Sequence, residues 1–315
     1  MTYVVTGGAG FIGSNFLHYL KDQTEVEEQI IVLDNLSYAS DRQWIPENDQ
    51  FIFEWCDLSD ENNVNYIFDK YKPERVWHFA AESHVQNSIK NYRPFLESNV
   101  IGTINLLNAS LKHEVDKFHH ISTDEVYGSL EYDDPFLFTE TTKYHPRNPY
   151  SASKAASDHF VTAWHTTYGL PYLMTNCSNN YGIHQHPEKL IPLVVSNALK
   201  DEITYMHGGG NQIRDWIYVF DHCAAIWELE WQGIINQQFN IGGDNEMRNI
   251  DVTKMILDMM DKPYTLIGIN EGRPGIDKRY GMDNTKITQW TTWTPFTSFE
   301  LGLRSTVTWY LDRLT

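Results

Sequence analysis

A glycine-rich turn near the start of the chain limits the possible folds more than any other feature of the sequence. The segment VVTGGAGFIGS (4–14) places Gly8, Gly10 and Gly13 in a GxGxxG spacing, and Gly7, Gly10 and Gly13 in a GxxGxxG spacing. It follows an apolar, strand-like run and opens a helical pattern. Glycines at such a turn permit a sharp bend and let a pyrophosphate group approach the backbone N–H groups of the helix start. We therefore expect an α/β chain whose first strand, turn and helix bind a dinucleotide.

An acidic residue at the end of the second predicted strand supports this interpretation. Asp34 closes the run QIIVLD and lies 21 residues beyond Gly13, near the ~20 residues typical of a ribose-binding acid. Its carboxylate would accept hydrogen bonds from ribose hydroxyls and repel a 2′-phosphate, which favours NAD over NADP. Asp57 follows the third strand and has two open interpretations: a contact to the adenine edge, or the N-cap of the next helix.

The first half of the chain alternates short apolar runs with helical patterns. Near-continuous apolar strands separated by helices are typical of a parallel sheet covered on both faces. We predict a Rossmann domain, a doubly wound parallel sheet, over 1–180, with a segment near 212–245 returning to it, and a smaller, mixed α/β substrate-binding domain over 181–315. The strand patterns cover 2–6, 29–34, 51–55, 75–80, 117–122 and 171–176, and the helical patterns cover 11–21, 60–71, 93–112 and 150–168.

Composition and charge narrow the classes of partner. The 315 residues include 24 basic and 42 acidic side chains, for a formal net charge of -18. So acidic a surface argues against nucleic acid or an anionic membrane as the main partner. Three scattered cysteines without a CxxC spacing fit a reducing compartment. Because the sequence shows neither a signal-peptide pattern nor a long apolar run, we expect a cytoplasmic protein; no ligand spacing predicts a metal site.

Tyr150 and Lys154 form a YxxxK pair in the segment PYSASKAASDHF (149–160), one helical turn apart on one face. Free tyrosine has a pKa of about 10, so as a base at neutral pH it needs its charged form stabilised. A lysine ammonium one turn away, together with an oxidised nicotinamide, would supply that field. A YxxxK spacing alone is common on exposed helix faces. Its position after the strand that leads to Thr123 favours the catalytic interpretation.

Two neighbouring acids follow that strand in STDEVYG (122–128). Adjacent side chains of a strand point to opposite faces, so Asp124 and Glu125 can face one site only if the backbone turns at 123–125. Open α/β sheets bind ligands at the carboxyl ends of their strands, which favours a catalytic interpretation of both acids with Thr123. The alternative is that Asp124 caps the following turn and Glu125 is a solvated strand end.

These motifs resemble those of known families. The TGGAGFIG turn, Asp34 and the YxxxK pair are similar to the extended short-chain dehydrogenase/reductase superfamily. The segments HFAAESHV (78–85), STDEVYG, PYSASKAASDH, TNCSNNYG (175–182), PEKLIPL (187–193) and QIRDWIYV (212–219) resemble nucleoside-diphosphate-glucose 4,6-dehydratases over nearly the whole chain. The most specific element is the triplet Thr123-Asp124-Glu125, because sugar epimerases of the superfamily usually lack the Asp-Glu pair.

The resemblance implies a lyase reaction with internal redox chemistry. A nucleoside-diphosphate-glucose is oxidised at C4, loses water across C5 and C6, and regains hydride at C6, so that NAD is regenerated. Tyr150 would take the 4-hydroxyl proton and Thr123 would position that hydroxyl. Glu125 would act as base at C5, and Asp124 would protonate the leaving 6-hydroxyl. Lys154 completes the implied catalytic set.

The resemblance also implies the binding residues and a homodimer formed through the helices near 93–112 and 150–168. The implied cofactor contacts are Gly7, Gly10, Phe11, Ile12, Gly13, Asp34, Asn35, Asp57, Leu58, Ala80, Ala81, Ser83, Ser98, Tyr150 and Lys154. The implied substrate contacts are Ser83, Thr123, Asn179, Glu188, Lys189, Leu190, Tyr205, His207, Arg214, Asn249, Arg273 and Tyr280.

Three alternatives stay open at this point. An NAD-dependent nucleotide-sugar 4-epimerase or decarboxylase would share Tyr150 and Lys154 but would need no acid at the 6-hydroxyl. A protein that only binds NAD would usually lose the catalytic pair. The nucleobase is thymine or uracil, since Tyr205 and His207 depart from the family pattern near the base.

Overall fold

The computed structural model describes residues 1–23, 28–272 and 275–314. Its strands are β1 (Thr2–Thr6), β2 (Gln29–Asp34), β3 (Phe51–Trp55), β4 (Arg75–His78), β5 (Lys117–Thr123), β6 (Tyr172–Cys177), β7 (Asn179–Tyr181), β8 (Thr204–His207), β9 (Ile213–Tyr218), β10 (Gln237–Ile241), β11 (Glu246–Arg248) and β12 (Ile267–Asn270). Its α-helices are α1 (Phe11–Asp22), α2 (Glu61–Tyr71), α3 (Val85–Lys90), α4 (Arg93–Phe95), α5 (Gly102–Lys112), α6 (Pro149–Tyr168), α7 (Leu190–Leu199), α8 (Val219–Trp231), α9 (Asn249–Met259), α10 (Thr285–Trp290) and α11 (Phe299–Leu314).

Seven strands form one sheet in the order β10-β6-β5-β4-β1-β2-β3, and all its neighbours are parallel. Strands β1 to β6, read from the β3 edge of the sheet, follow the doubly wound order 3-2-1-4-5-6. The predicted fold class is therefore confirmed. The strand order reverses between β1 and β4, and this reversal opens a crevice at the carboxyl ends of the strands. β10 joins the sheet at its β6 edge although it comes late in the chain. The division into domains at residue 180 stays a prediction.

Helices cover both faces of this sheet because successive strand residues point to opposite sides. Val5 and Val32 belong to a core that includes side chains of α1 and α8. Val4 and Ile31, their neighbours in sequence, belong to a second core that includes side chains of α2, α5 and α6. Burial on both faces explains why these strands are apolar without alternation.

A smaller region follows β6 and has its own core. It contains a mixed three-stranded sheet, β11-β9-β7, and a parallel pair of β12 and β8. Its core is formed by side chains of α7, α9 and α11, among them Val195, Ile256 and Leu303, which are fully buried. The predicted smaller, mixed α/β region is therefore present.

Two sequence-based boundaries need correction. The pattern over 93–112 is not one α-helix: α4 and α5 are joined by a π-helical segment, Leu96–Ile101. At this wide turn the buried side chain of Asn99 exchanges hydrogen bonds with the backbone of Glu82, a tertiary contact that periodicity does not reveal. The fourth strand ends at His78 rather than at residue 80. No helix among the described residues is long and apolar enough to cross a membrane.

Candidate active site

A cavity lies at the carboxyl edge of the seven-stranded sheet, beside the reversal of strand order. Every residue predicted to contact the cofactor lines it: Gly7, Gly10, Phe11, Ile12, Gly13, Asp34, Asn35, Asp57, Leu58, Ala80, Ala81, Ser83, Ser98, Tyr150 and Lys154. The predicted catalytic triplet lines the same cavity, as do four of the other predicted substrate residues: Ser83, Asn179, Glu188 and Lys189. The structure therefore brings the cofactor and catalytic predictions together in one place.

The glycine turn has the geometry that a pyrophosphate site needs. Gly7 has a φ of +68°, and a Cβ atom there would lie 2.7 Å from the Cα of Ala80. A Cβ atom on Gly13 would lie 2.2 Å from the carbonyl oxygen of Gly7. Gly10 is the N-cap of α1 and no side chain caps it, so the N–H groups of the first helical turn stay available for an anion. A side chain at Gly7 would therefore clash with the backbone of Ala80, and one at Gly13 would clash with the backbone of Gly7.

Asp34 lies at the end of β2 with both carboxylate oxygens oriented by the backbone. Its Oδ2 accepts a hydrogen bond from the Ala9 N–H (3.0 Å) and its Oδ1 accepts one from the Leu36 N–H (2.8 Å). Burial raises the pKa of Asp34, and these hydrogen bonds oppose the rise. Together the open glycine cradle and this anchored acid fit the pyrophosphate and ribose of NAD.

Asp57 also lines the cavity, and one of its two interpretations is wrong. The N-cap of α2 is Asp60, whose side chain accepts hydrogen bonds from the N–H groups of Asn62 and Asn63. Asp57 instead accepts from the N–H (2.9 Å) and hydroxyl (2.8 Å) of Ser59. It is therefore a turn residue at the cavity wall, where the adenine interpretation places it.

Tyr150 and Lys154 lie in the first turns of α6, whose N-terminus is fixed by several helix-capping residues. Asn148 is the N-cap, Pro149 occupies the first turn, and Asn148 and Ser151 form a capping box. The Lys154 Nζ donates to the carbonyl of Ile121 on β5 (2.8 Å). Burial lowers the pKa of Lys154 and raises that of Tyr150 well above 10, while the Thr123 hydroxyl opposes the rise at Tyr150.

The backbone turns at the acid pair, as the sequence requires if both acids are to face one site. β5 ends at Thr123, and a short 3₁₀ helix begins at Asp124. The Thr123 hydroxyl donates to the Asp124 carboxylate (3.2 Å) and accepts from the Glu125 N–H (3.3 Å). Both acids then line the cavity.

The two acids have different surroundings. Asp124 is 2% exposed, and its Oδ2 has no hydrogen-bond partner among the described residues. Burial, and then the charge of Glu125, raise the pKa of Asp124 well above its ordinary value. Burial also raises the pKa of Glu125, but a hydrogen bond from Asn148 (3.2 Å) and the charge of Arg214 oppose this. The two acids therefore differ in their hydrogen bonds: Glu125 has an amide donor that favours its ionised form, and the Oδ2 of Asp124 has none among the described residues.

At the mouth of the cavity, charged side chains of the segment before α7 meet the first half of the chain. Lys189 donates to the backbone carbonyl of Ser83 (3.2 Å). Glu188 accepts a hydrogen bond from Tyr38 (3.1 Å) and lies 3.6 Å from the His84 ring. Glu188 and Lys189 thus lie next to residues of the wall that is predicted to bind the cofactor.

The other described members of the predicted substrate set are not among the residues that line this cavity. Arg214 stacks over the ring of Tyr280 (4.1 Å) and is close enough to lower the pKa of both active-site acids. Tyr205 is 59% exposed and shares β8 with the exposed His207. Leu190 and Asn249 are the first residues of α7 and α9. Arg273 lies outside the described residues.

Two residues that sequence reasoning missed contribute to the site. Asn148 connects the start of α6 to Glu125, and the sequence Asn-Pro before a helical pattern is a recognisable start signal. Cys177, at the end of β6, lines the cavity, and its thiol donates to the carbonyl of Ser122 (3.3 Å). No local pattern in the sequence distinguishes Cys177 from the other buried cysteines.

Comparison with known proteins places this site in a family. A sequence model of the GDP-mannose 4,6 dehydratase family matches residues 4–306. A dTDP-glucose 4,6-dehydratase of Neisseria meningitidis serogroup B is 45% identical over 335 aligned residues, which cover 99% of this chain and 94% of the relative.

Two solved structures show the same architecture. DesIV, a dTDP-glucose 4,6-dehydratase from Streptomyces venezuelae solved with NAD bound, superposes with a TM-score of 0.95 at 38% identity, covering 99% of this chain and 97% of that one. A UDP-glucose 4-epimerase from Thermus thermophilus, solved with NAD, has a TM-score of 0.90 at 28% identity and covers 99% of this chain and 99% of that one. The chain therefore belongs to the GDP-mannose 4,6 dehydratase family, and within it is similar over nearly its whole length to dTDP-glucose 4,6-dehydratases.

Proposed function

We propose that this protein is an enzyme that catalyses the NAD-dependent 4,6-dehydration of dTDP-glucose to the 4-keto-6-deoxy sugar. The observation that carries the proposal is the pair of neighbouring acids at the end of β5, which line the cavity of Tyr150 in different surroundings: Glu125 accepts a hydrogen bond from Asn148, and the Oδ2 of Asp124 has no partner among the described residues. An elimination needs one group to accept a proton and one to donate it. The similarity to dTDP-glucose 4,6-dehydratases supports the substrate.

Oxidation at C4 is assigned to Tyr150, Lys154 and Thr123. Tyr150 accepts the proton of the 4-hydroxyl, and Thr123 orients that hydroxyl. Because burial holds the pKa of Tyr150 well above 10, additional positive charge is needed to form the phenolate. When bound, NAD supplies that charge on its oxidised nicotinamide and the ring that accepts hydride from C4 and returns it to C6. Lys154 contributes the ammonium on the protein side.

Loss of water is assigned to the acid pair. The 4-ketone makes the C5 proton acidic; Glu125 removes it and returns a proton to C5 as hydride adds at C6. The proton that Tyr150 gained from the 4-hydroxyl and the one that Asp124 gives up balance through solvent. Asp124, which burial favours in the protonated form, donates its proton to the leaving 6-hydroxyl through the unpaired side of its carboxyl group. Each such proton transfer contributes roughly 10²–10⁴ in rate.

A 4-epimerase is the second candidate, because a UDP-glucose 4-epimerase has the same fold. It would use Tyr150 and Lys154 in the same way. It would have no use for the protonated Asp124 beside Glu125, which is why dehydration is the better proposal.

We also propose a homodimer. The predicted dimer segments near 93–112 and 150–168 present exposed apolar side chains, namely Leu96, Ile101 and Tyr168, and Ile89 and Tyr92 lie exposed just before the first of them. Apolar surface on neighbouring helices is suited to a helix-to-helix contact with a second copy. The cytoplasmic location stays a prediction from the sequence.

The function is tested by incubating the protein separately with dTDP-glucose and UDP-glucose and following the product by mass spectrometry. We expect loss of one water from dTDP-glucose, faster than from UDP-glucose. Faster loss from UDP-glucose would assign uracil as the base. A product of unchanged mass but altered C4 configuration would assign an epimerase, and no reaction with either substrate would overturn the proposal.

A further inference from the structure

A buried carboxylate lies one helical turn beyond Lys154 and belongs to none of the groups assigned above. Asp158 is on α6 at position i+4 from Lys154 and i+8 from Tyr150, so the three side chains share one face of the helix. Asp158 and Lys154 are 2% and 4% exposed. Burying a carboxylate costs free energy because the group loses its hydration. The presence of Asp158 at this buried position therefore calls for an explanation.

Four side chains from three different parts of the chain converge on this carboxylate. Ser122 and Tyr144 each donate a hydroxyl hydrogen bond at 2.8 Å, and the His120 Nε2 lies at 3.1 Å. The Asn176 amide completes the set at 3.5 Å. A carboxylate that accepts several hydrogen bonds is stabilised in its ionised form. Burial by itself raises the pKa of Asp158, and the hydrogen bonds from His120 and Ser122 and the charge of Lys154 oppose that rise.

His120 is not the cation that balances this charge. Burial, and then the charge of Lys154, lower its pKa to about 4. Its Nδ1 is buried without a hydrogen-bond partner among the described residues, so the neutral ring donates from Nε2. Lys154, whose pKa burial lowers and Asp158 raises, is the cation that faces Asp158 along the helix.

Burial shifts the other titratable groups around the pair toward their neutral forms. Burial lowers the pKa of His78 on β4 well below its ordinary value, raises the pKa of Cys177 on β6 to about 12, and raises the pKa of Tyr127, Tyr144 and Tyr150. Asp124 and Glu125 face Tyr150 at the other end of this row. Lys154 and Asp158 are therefore the two groups beneath Tyr150 whose charges favour each other.

We propose that Asp158 is a positioning residue of the reaction, whose buried carboxylate is the counter-charge that holds the Lys154 side chain as an ammonium beneath Tyr150. This inference rests on the proposed function only in giving Lys154 its catalytic use. The row of side chains Tyr150, Lys154 and Asp158 then forms one unit on α6. Ser122, Tyr144 and His120 fix the end of that unit.

The test measures the protonation of Lys154 directly. Holoenzyme labelled with ¹³C at the lysine ε-carbon is titrated by NMR, and Lys154→Arg assigns the Lys154 signal by its disappearance. In Asp158→Asn the side chain keeps its size, and the Ser122 and Tyr144 hydroxyls can rotate to accept from the new amide. We expect the Lys154 titration, and the alkaline limb of the kcat profile with dTDP-glucose, to move to lower pH by about one unit or more.

Tyr144→Phe is the matched control, because it removes one hydrogen bond from Asp158 but leaves its charge. We expect the Lys154 titration and the alkaline limb of this variant to stay near those of the wild type. If the Lys154 titration moved equally in both variants, the effect would be merely structural and the proposal would be overturned. A folded Asp158→Asn with an unchanged Lys154 titration would also overturn it.

Two further outcomes are separable. If Asp158→Asn does not fold, a second wild-type sample labelled with ¹³C at the aspartate carboxyl carbons decides, since a protonated Asp158 at pH 7 would overturn the proposal and an ionised one supports it. If the wild type removes no water from dTDP-glucose while the Lys154 titration still moves in Asp158→Asn, the proposed function fails and the Lys154–Asp158 pairing stands.

Discussion

Asp124 and Glu125 are adjacent residues of the same chemistry whose different surroundings suit the opposite tasks proposed for them. The turn after Thr123 directs both into one cavity, and their neighbours then separate them. Asp124 is almost fully buried with one carboxyl oxygen lacking a partner among the described residues, whereas Glu125 accepts a hydrogen bond from Asn148 that favours its ionised form. Pairs of carboxyl groups whose environments separate their proton affinities commonly divide into an acid and a base.

The assignment of Asp124 leads to a prediction about Asp124→Asn. The amide cannot donate an acidic proton to the leaving 6-hydroxyl, so we expect the rate of water loss from dTDP-glucose to fall by about 10²-fold or more. Oxidation at C4 uses Tyr150 and should persist, so the absorbance of reduced nicotinamide should accumulate in a single turnover. Stopped-flow absorbance and product mass measure the two steps.

Asp133→Asn is the control for that experiment, because Asp133 is an exposed acid outside the cavity. We expect it to turn over dTDP-glucose at the rate of the wild type. Unchanged turnover in Asp124→Asn would remove Asp124 from the elimination.

Among the structural elements, the start of α6 links helix stability to catalysis. The Asn148 side chain accepts from the Ser151 N–H (2.9 Å) as the N-cap and donates to Glu125 (3.2 Å) from its amide nitrogen. The same residue therefore stabilises the helix that carries Tyr150 and lowers the pKa of the base opposite it.

Substitutions of Asn148 can separate these two roles. Asn148→Ser keeps a good N-cap but removes the donor to Glu125, so the pKa of Glu125 should rise further. Because the base must be ionised, activity will then be lost at a higher pH as the solution is acidified, and the acid limb of the kcat profile should move upward. The thermal midpoint should change little.

Asn148→Ala removes both the cap and the donor. We expect the same upward shift of the acid limb together with a loss of about 1 kcal/mol in the free energy of unfolding. Calorimetry and pH profiles measure the two effects. An acid limb that stays in place in both variants would contradict the assignment of Glu125 as the base.

Elements that depend on local requirements of the backbone can be predicted from the sequence, whereas elements that depend on tertiary contacts cannot. The end of β5 follows from the requirement that Asp124 and Glu125 face one site, and the glycine turn follows from steric limits at Gly7 and Gly13. The π-helical segment at 96–101 depends on a tertiary contact of Asn99. The network around Asp158 joins three distant parts of the chain, so no local pattern indicates it.

On the scale of the whole molecule, an acidic chain binds an anionic cofactor and substrate by local arrangement rather than net charge. The formal charge is -18, yet the cofactor end of the cavity presents the uncapped N-terminus of α1, and Lys189 lies at its mouth. Helix N-termini and single cations create a positive local field that the surface charge does not cancel at short range.

The proposed homodimer is a prediction at this scale. Leu96 and Ile101 are 45% and 44% exposed on the helical surface near residue 100, and burying them against a second copy would remove apolar area from water. We expect light scattering to give a dimer for the wild type and a monomer for the double variant Leu96→Glu with Ile101→Glu. Leu301→Glu on α11, where Leu301 is 62% exposed, should remain dimeric. A monomeric wild type would contradict the proposal.

Transfer of hydride within one substrate molecule is the central claim, and an isotope experiment tests it most directly. The protein is incubated with dTDP-glucose that carries deuterium at C4, and the product is analysed by NMR and mass spectrometry. We expect a 4-keto-6-deoxy product that has lost one water and carries the deuterium at C6. A product in which the deuterium is absent, or has returned to C4, would contradict it.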